Sequence, residues 1–142
     1  AGHWSETTGA RFAAAPYHAP EDPLDRVLAY IDFRARLLDG PPELFSCVAG
    51  TMVQEMFRES GAIRGACRAS IFGHAKTLEA DIAAAIKKHG VKNVAAKSLA
   101  LHTQAVLQGA FILAKADGGP AVARESARHL KRYIQLLFGR AA

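Results

Sequence analysis

The sequence predicts an all-α fold, and three observations carry that expectation. Apolar residues recur at three-to-four-residue spacing through five long segments. Helix stops and starts stand between them, among them Gly40-Pro41-Pro42, Ser60-Gly61 and Gly118-Gly119-Pro120. No segment alternates apolar and polar residues with period two, and neither an Asn-Gly turn nor a cluster of β-branched residues occurs, so strands are not expected.

Residues 1–20 read as an entrance to the domain. Trp4 and Phe12 mark a short helical remnant, and the stretch from Pro16 to Pro20 an irregular linker. Residues 21–142 read as one five-helix bundle. Its first helix opens with Asp22 as N-cap and Pro23 in the first turn, carries Leu24, Val27, Leu28, Ile31, Ala35 and Leu38 as its apolar stripe, and stops at Gly40. The second is expected from near Pro42 to about Glu59, with Phe45, Val48, Met52 and Met56 on one face. A long third helix should run from about Ala62 to Lys88, with Ile63, Cys67, Ile71, Leu78, Ile82 and Ile86 inward and Gly90 at its C-cap. The fourth extends from about Asn93 to Asp117, and the fifth from near Pro120 to Phe138, with Val122, Leu130, Tyr133, Ile134, Leu137 and Phe138 on its apolar side.

The fourth segment is apolar nearly all the way round. Leu99, Val106, Ala110 and Leu113 lie on one side, Leu101, Ala105, Ile112 and Ala116 on another. A surface helix would keep a polar face, so this one needs cover on two sides. In a chain of 142 residues a second copy can supply that cover. His102, Gln104 and Gln108 interrupt the apolar run and then point at a partner or a cavity.

Composition bounds the function. Half of the residues are hydrophobic and 22% are charged, which excludes global disorder. No apolar run reaches the ~18 residues of a membrane span, and no signal peptide is visible at the start. Cys47 and Cys67 make no disulfide framework; a reduced, cytoplasmic setting with both thiols as small core residues is expected. The net charge of +5 is the balance of 18 Lys and Arg against 13 Asp and Glu, and the basic residues gather at Lys87, Lys88, Lys92 and Lys97 around Gly90 and at Arg124, Arg128, Lys131 and Arg132 on the last helix. No aromatic residues interleave with either group, so solvated helix faces account for them better than a nucleic-acid platform does.

Enzyme signatures are absent, and no catalytic residue, metal site or cofactor is expected. The six histidines are scattered, without His-Glu-x-x-His or Cys-x-x-Cys. Glu125 and His129 have the spacing of a surface salt bridge and not the Glu-x-x-His of a bundle metal site, and no serine sits in a Gly-x-Ser-x-Gly elbow. A small-molecule cavity between helices is better supported, because polar residues interrupt otherwise buried faces. Thr51, Met52, Gln54 and Met56 of the second helix, Ile71, Phe72 and His74 of the third, and Gln104, Gln108 and Phe111 of the fourth are candidate walls. The same methionines and phenylalanines serve equally as core, and the glutamines equally as hydrogen-bonding groups across a subunit interface.

Four blocks carry a family likeness: Val48-Ala-Gly-Thr-Met-Val-Gln-Glu-Met56, Ile63-Arg-Gly-Ala-Cys67, Leu99 to Lys115, and Ala123-Arg-Glu-Ser-Ala-Arg-His-Leu-Lys-Arg-Tyr133. In order and spacing this arrangement resembles the C-terminal domain of tetracycline-repressor-like (TetR-family) transcriptional regulators, from about Pro20 to Gly139. The resemblance implies a regulatory domain, usually of a repressor, that binds a small effector and homodimerises. The last two long helices would pack on their symmetry mates as a four-helix bundle. It implies Leu107, Phe111, Leu130, Tyr133, Ile134 and Leu137 as interface residues, and, from helix position, Thr51, Met52, Met56, Phe72, His74, Gln104 and Gln108 as pocket residues. DNA would be contacted only through an N-terminal helix-turn-helix domain of about 50 residues that this chain lacks, Trp4 and its neighbours resembling the end of the connecting helix. The alternative is a stand-alone helical dimerisation or protein-interaction module without a small ligand.

Overall fold

A computed structural model describes residues 2–141, with side chains from Glu6 onward. Among the described residues there are six α-helices and no strand: α1 (Gly2–Ala13), α2 (Pro23–Arg36), α3 (Val48–Met56), α4 (Gly61–His89), α5 (Ala96–Asp117) and α6 (Ala121–Leu137). The entrance is therefore more helical than expected: α1 has 12 residues. Trp4 falls within it, although its side chain lies outside the described ones.

Local chemistry sets the helix ends. Asp22 Oδ1 accepts from the Leu24 N–H at 2.9 Å with Pro23 in the first turn, so α2 starts where expected. Gly90 and Gly118 close α4 and α5 at φ of 64° and 74°, left-handed values that cost a Cβ-bearing residue steric strain. Asn93 also takes a positive φ of 63°, which holds back the start of α5 to Ala96.

The expected second helix is broken in two. Pro42–Phe45 forms a 3₁₀ turn, Ser46 and Cys47 are extended, and α3 begins only at Val48. Two local bonds stabilise the break: the Ser46 hydroxyl donates to the Pro42 carbonyl at 2.7 Å, and Cys47 Sγ accepts from the Gly50 N–H at 3.2 Å as the N-cap. Cys47 is thus a half-buried cap and not a core residue, whereas Cys67 is buried. Phe45 turns towards Phe111, ring centroids 5.8 Å apart, while Val48 stays exposed.

The core sits where α2 packs between α4 and α6, and α5 packs against both of these helices. Leu24, Val27 and Ile31 of α2 meet Leu78, Ile82 and Ala85 of α4, Leu99, Leu107 and Phe111 of α5, and Leu130 and Ile134 of α6. Burying each of the larger side chains contributes about 2 kcal/mol. Ala123, Ala127, Leu130 and Ile134 recur on one face of α6, opposite the exposed Arg128, Arg132 and Tyr133.

This packing uses four of the six residues expected at an interface between copies. Leu107, Phe111, Leu130 and Ile134 are buried inside the subunit itself, because the stripe that looked two-sided is filled on one side by the chain's own helices. Leu137 is half-buried, and only Tyr133 of the six is exposed. The exposed large apolar side chains of α5 and α6 are Ile112 and Leu113 on α5 with Tyr133 and Leu136 on α6, the last 67% exposed. The His102 ring lies against that of Tyr133, centroids 5.7 Å apart, so the outer faces of α5 and α6 are contiguous.

Ion pairs tie the ends of the domain together. Asp22 meets His89 at 3.0 Å and Arg140 at 2.9 Å, and Arg140 also bonds Asp25. Burial pushes the Asp22 carboxyl up, but the hydrogen bonds from His89 and the Leu24 N–H, with the neighbouring charges of His89 and Lys88, outweigh it and hold the pKa at about 2. Several basic residues of α6 are paired as well: Arg124 with Asp39, Arg128 with Glu125 and Lys131 with Asp32. His129 lies 3.9 Å from Glu125, as expected for a surface pair.

Replacing Asp22 by Ala removes the cap and the contacts with Lys88, His89 and Arg140, and should lower the unfolding free energy by about 1–2 kcal/mol in urea titrations. Because the native carboxyl has the lower pKa, that difference is present above pH 3.8 and should shrink as pH falls towards 2. A difference that stays constant through that window would remove the assigned role of the carboxylate.

Candidate functional site

A cavity of about 530 Å³ opens between α1, the Leu44–Cys47 segment, the first half of α4, and the facing sides of α2 and α5. Its volume is in the range of small-molecule sites. Phe12, Leu37, Leu44, Phe45 and Ile71 supply apolar wall, and Ser46, Ser70, Thr77 and Gln108 supply hydrogen-bonding groups.

Arg34, His74 and Gln104 border it on the inner side, and their polar groups meet the buried Tyr30 hydroxyl behind that wall. Tyr30 and Arg34 are four apart on the buried face of α2, so they stack along one side of the helix. His74 comes from the point where α4 passes from an exposed stretch into the core, and Gln104 from the inward face of α5. Arg34 Nη1 donates to the Tyr30 hydroxyl at 2.6 Å and to Gln104 Oε1 at 3.0 Å. Gln104 Nε2 donates to the same hydroxyl at 2.7 Å. With two donors arriving, the Tyr30 O–H is directed to His74 Nε2, 2.9 Å away.

That donor count requires a neutral His74 whose proton is on Nδ1. The electrostatics agree: burial first, and the Arg34 charge second, push its pKa from 6.5 down to about 4. The positive charge of the cluster therefore belongs to Arg34. Its guanidinium carbon lies 5.1 Å from the Phe111 ring centroid, 5.6 Å from Phe12 and 5.7 Å from Tyr30, a cage that holds a cation by the ring quadrupoles. Phe12 also meets His74 edge-on at 4.6 Å and Phe33 at 5.3 Å, so the last turn of α1 is bound into the same cluster.

Of the expected pocket residues, His74, Gln104 and Gln108 line this cavity together. Thr51 does not; it borders a shallow hollow of about 30 Å³ with Gln108 on the other side. Met52 and Met56 are half-buried on α3 and line neither, and Gln54 bonds back to the Gly50 carbonyl of its own helix. Phe72 is exposed beneath the Arg68 guanidinium, 4.5 Å from its ring centroid, because position 72 falls on the outer side of α4. The break before α3 explains these displacements, since it swings the 3₁₀ turn and not α3 onto the cavity. Arg34, Tyr30 and Phe12 were missed. A signal existed: Arg34 continues the buried row of Val27, Tyr30, Ile31 and Leu38, and a charged residue in an apolar row requires an account.

Among the described residues no three His, Cys, Asp or Glu side chains come together as a metal site. None of the described helices is long and apolar enough to cross a membrane. A family model, the C-terminal domain of LmrA/YxaF-like transcriptional regulators, matches residues 23–129, a stretch that includes Arg34, His74 and Gln104. No curated protein matches the chain. No solved structure matches it either.

The state of His74 is measurable. In an NMR titration of the imidazole its midpoint should fall near pH 4. The unfolded chain takes up that proton with the ordinary pKa of 6.5, so stability should be complete above that pH and decline below it, by at most about 1.4 kcal/mol per pH unit. An imidazole midpoint near 6.5 would overturn the neutral assignment.

Proposed function

Since the chain belongs to the TetR-type family of LmrA/YxaF-like regulator C-terminal domains, we propose that it is the effector-binding and dimerisation domain of a transcriptional regulator. The observation that carries this reading is the cavity with its four-membered polar cluster, walled by α1, α2, α4 and α5. Apolar walls with a few convergent polar groups suit a small organic effector. DNA contact in such regulators belongs to a helix-turn-helix domain, and no residue of the cavity is assigned to it.

Coupling would run through α1. Thr7, Thr8, Gly9, Arg11 and Phe12 all border the cavity, so an occupant meets the helix nearest the expected position of the DNA-reading part. An effector that displaces Phe12 from His74 and Phe33 favours a different seat for α1, and so shifts the population of regulator conformations by its differential affinity.

The second copy would dock on the outer faces of α5 and α6. Ile112 and Leu113 near the α5–α6 turn, and Tyr133 and Leu136 farther along α6, are exposed apolar side chains of those two helices, with the small residues Ala105, Gly109 and Ala116 on the same side of α5 as Ile112. A two-fold axis through those outer faces gives an isologous four-helix contact.

A thermal-shift screen of amphipathic small molecules should find compounds that raise the melting temperature, since any ligand of the native state stabilises by mass action. A screen without a hit would favour the stand-alone interaction module. Light scattering after gel filtration should give a dimer, and Leu113→Asp with Leu136→Asp should give a monomer of unchanged helicity. A wild-type monomer would overturn the docking surface.

A further inference from the structure

We propose that the cavity takes an organic carboxylate, its anionic head against Arg34 and its apolar body along Leu44, Phe45 and Ile71. The proposal rests on the cavity being the effector site and names the class of effector.

Arg34 is the starting point. It is 5% exposed, lines the cavity, and keeps its Nε buried without any hydrogen-bond partner. Every polar group bonded to its head is uncharged: the Tyr30 hydroxyl, the Gln104 carbonyl oxygen and, at 3.4 Å, the imidazole of His74. No carboxylate among the described residues forms an ion pair with it; Asp81, on the neighbouring α4, is engaged with Arg26 at 2.8 Å.

A guanidinium kept from water without a counter-charge is costly, and the aromatic cage offsets only part of that cost. A bound anion relieves it, and does so most strongly where water is excluded. The other charged side chains bordering the cavity, Arg11 and Glu43, are both exposed, and neither is bonded to Arg34. Together with neutral His74 they leave the wall with an excess of one positive charge.

The walls decide the rest of the ligand. A bare inorganic ion would leave most of the space beside Phe45, Leu44 and Ile71 empty, whereas an apolar body fills it. Binding of an uncharged analogue would leave the guanidinium as it is. A cationic analogue would face it directly.

Calorimetric titration with decanoate, decanol and decylamine near neutral pH separates these cases. Decanoate should bind at least about tenfold more tightly than decanol, and decylamine more weakly than either. In Arg34→Gln the preference for decanoate over decanol should vanish while decanol binding persists. Decanoate should also shift the His74 imidazole NMR signals, which places the head beside the cluster. Equal affinity for decanoate and decanol would overturn the carboxylate proposal while leaving an effector cavity standing. A preference retained in Arg34→Gln would overturn the assignment to Arg34. Failure of all three amphiphiles to bind, together with an empty thermal-shift screen, would remove the cavity's role altogether. Should Arg34→Gln lose its helicity, the wild-type ratio of decanoate to decanol and the His74 shift decide the matter alone.

Discussion

The hydroxyl of Tyr30 is the atom on which the arrangement turns. It lies within a core of otherwise apolar side chains and joins three helices, receiving hydrogen bonds from Arg34 of its own helix and Gln104 of α5 while giving one to His74 of α4. The polar atoms of this cluster that bond the hydroxyl are all held by it, and among the described residues the buried Arg34 Nε alone is left without a partner. Their geometry fixes the rotation of α2 about its axis, because Tyr30 and Arg34 must face α4 and α5 at once. The same rotation brings Leu24, Val27 and Ile31 into the core. Register, core and cavity wall thus share one constraint.

The fold was legible where short-range chemistry decides it. Asp22-Pro23, Ser60-Gly61 and Gly90 are punctuation whose effect needs no tertiary contact, and α2 begins, and α4 begins and ends, close to where these residues put them. The break at Ser46-Cys47 was not legible, since the apolar spacing runs through it unbroken. It depends on a hydroxyl returning to the Pro42 carbonyl and a thiol capping α3, both weak signals in a sequence. That one break moved Thr51, Met52 and Met56 away from the cavity and brought Phe45 to it.

The site was legible only in its polar interruptions. His74, Gln104 and Gln108 stood out because they interrupt apolar helices, and all three border the cavity. Arg34 did not stand out, because a charged side chain on a helix is normally solvated and its burial follows from the aromatic rings of Phe12 and Phe111, 22 and 77 positions away in sequence. Periodicity likewise could show that α5 has two apolar sides but not which neighbour covers each. Core packing allotted Leu107 and Phe111 to the chain's own interior and left Ile112 and Leu113 outside.

The length of α4 has a consequence for how the cavity is reached. Its 29 residues span about 43 Å. Between Gly61 and His74 only Cys67 is buried, and the adjoining α3 contributes only Ala49 to the buried set. Helical segments with so few buried apolar contacts exchange their amide hydrogens through local opening, at a free energy well below that of the whole domain. The outer wall is therefore the soft part of the molecule and the Tyr30 cluster the rigid part. An effector of the proposed kind would have to order the first of these against the second, so part of its binding energy would go into conformational entropy. On the proposed reading, affinity at this cavity would be governed as much by the stiffness of α3 and the exposed half of α4 as by the groups that touch the ligand.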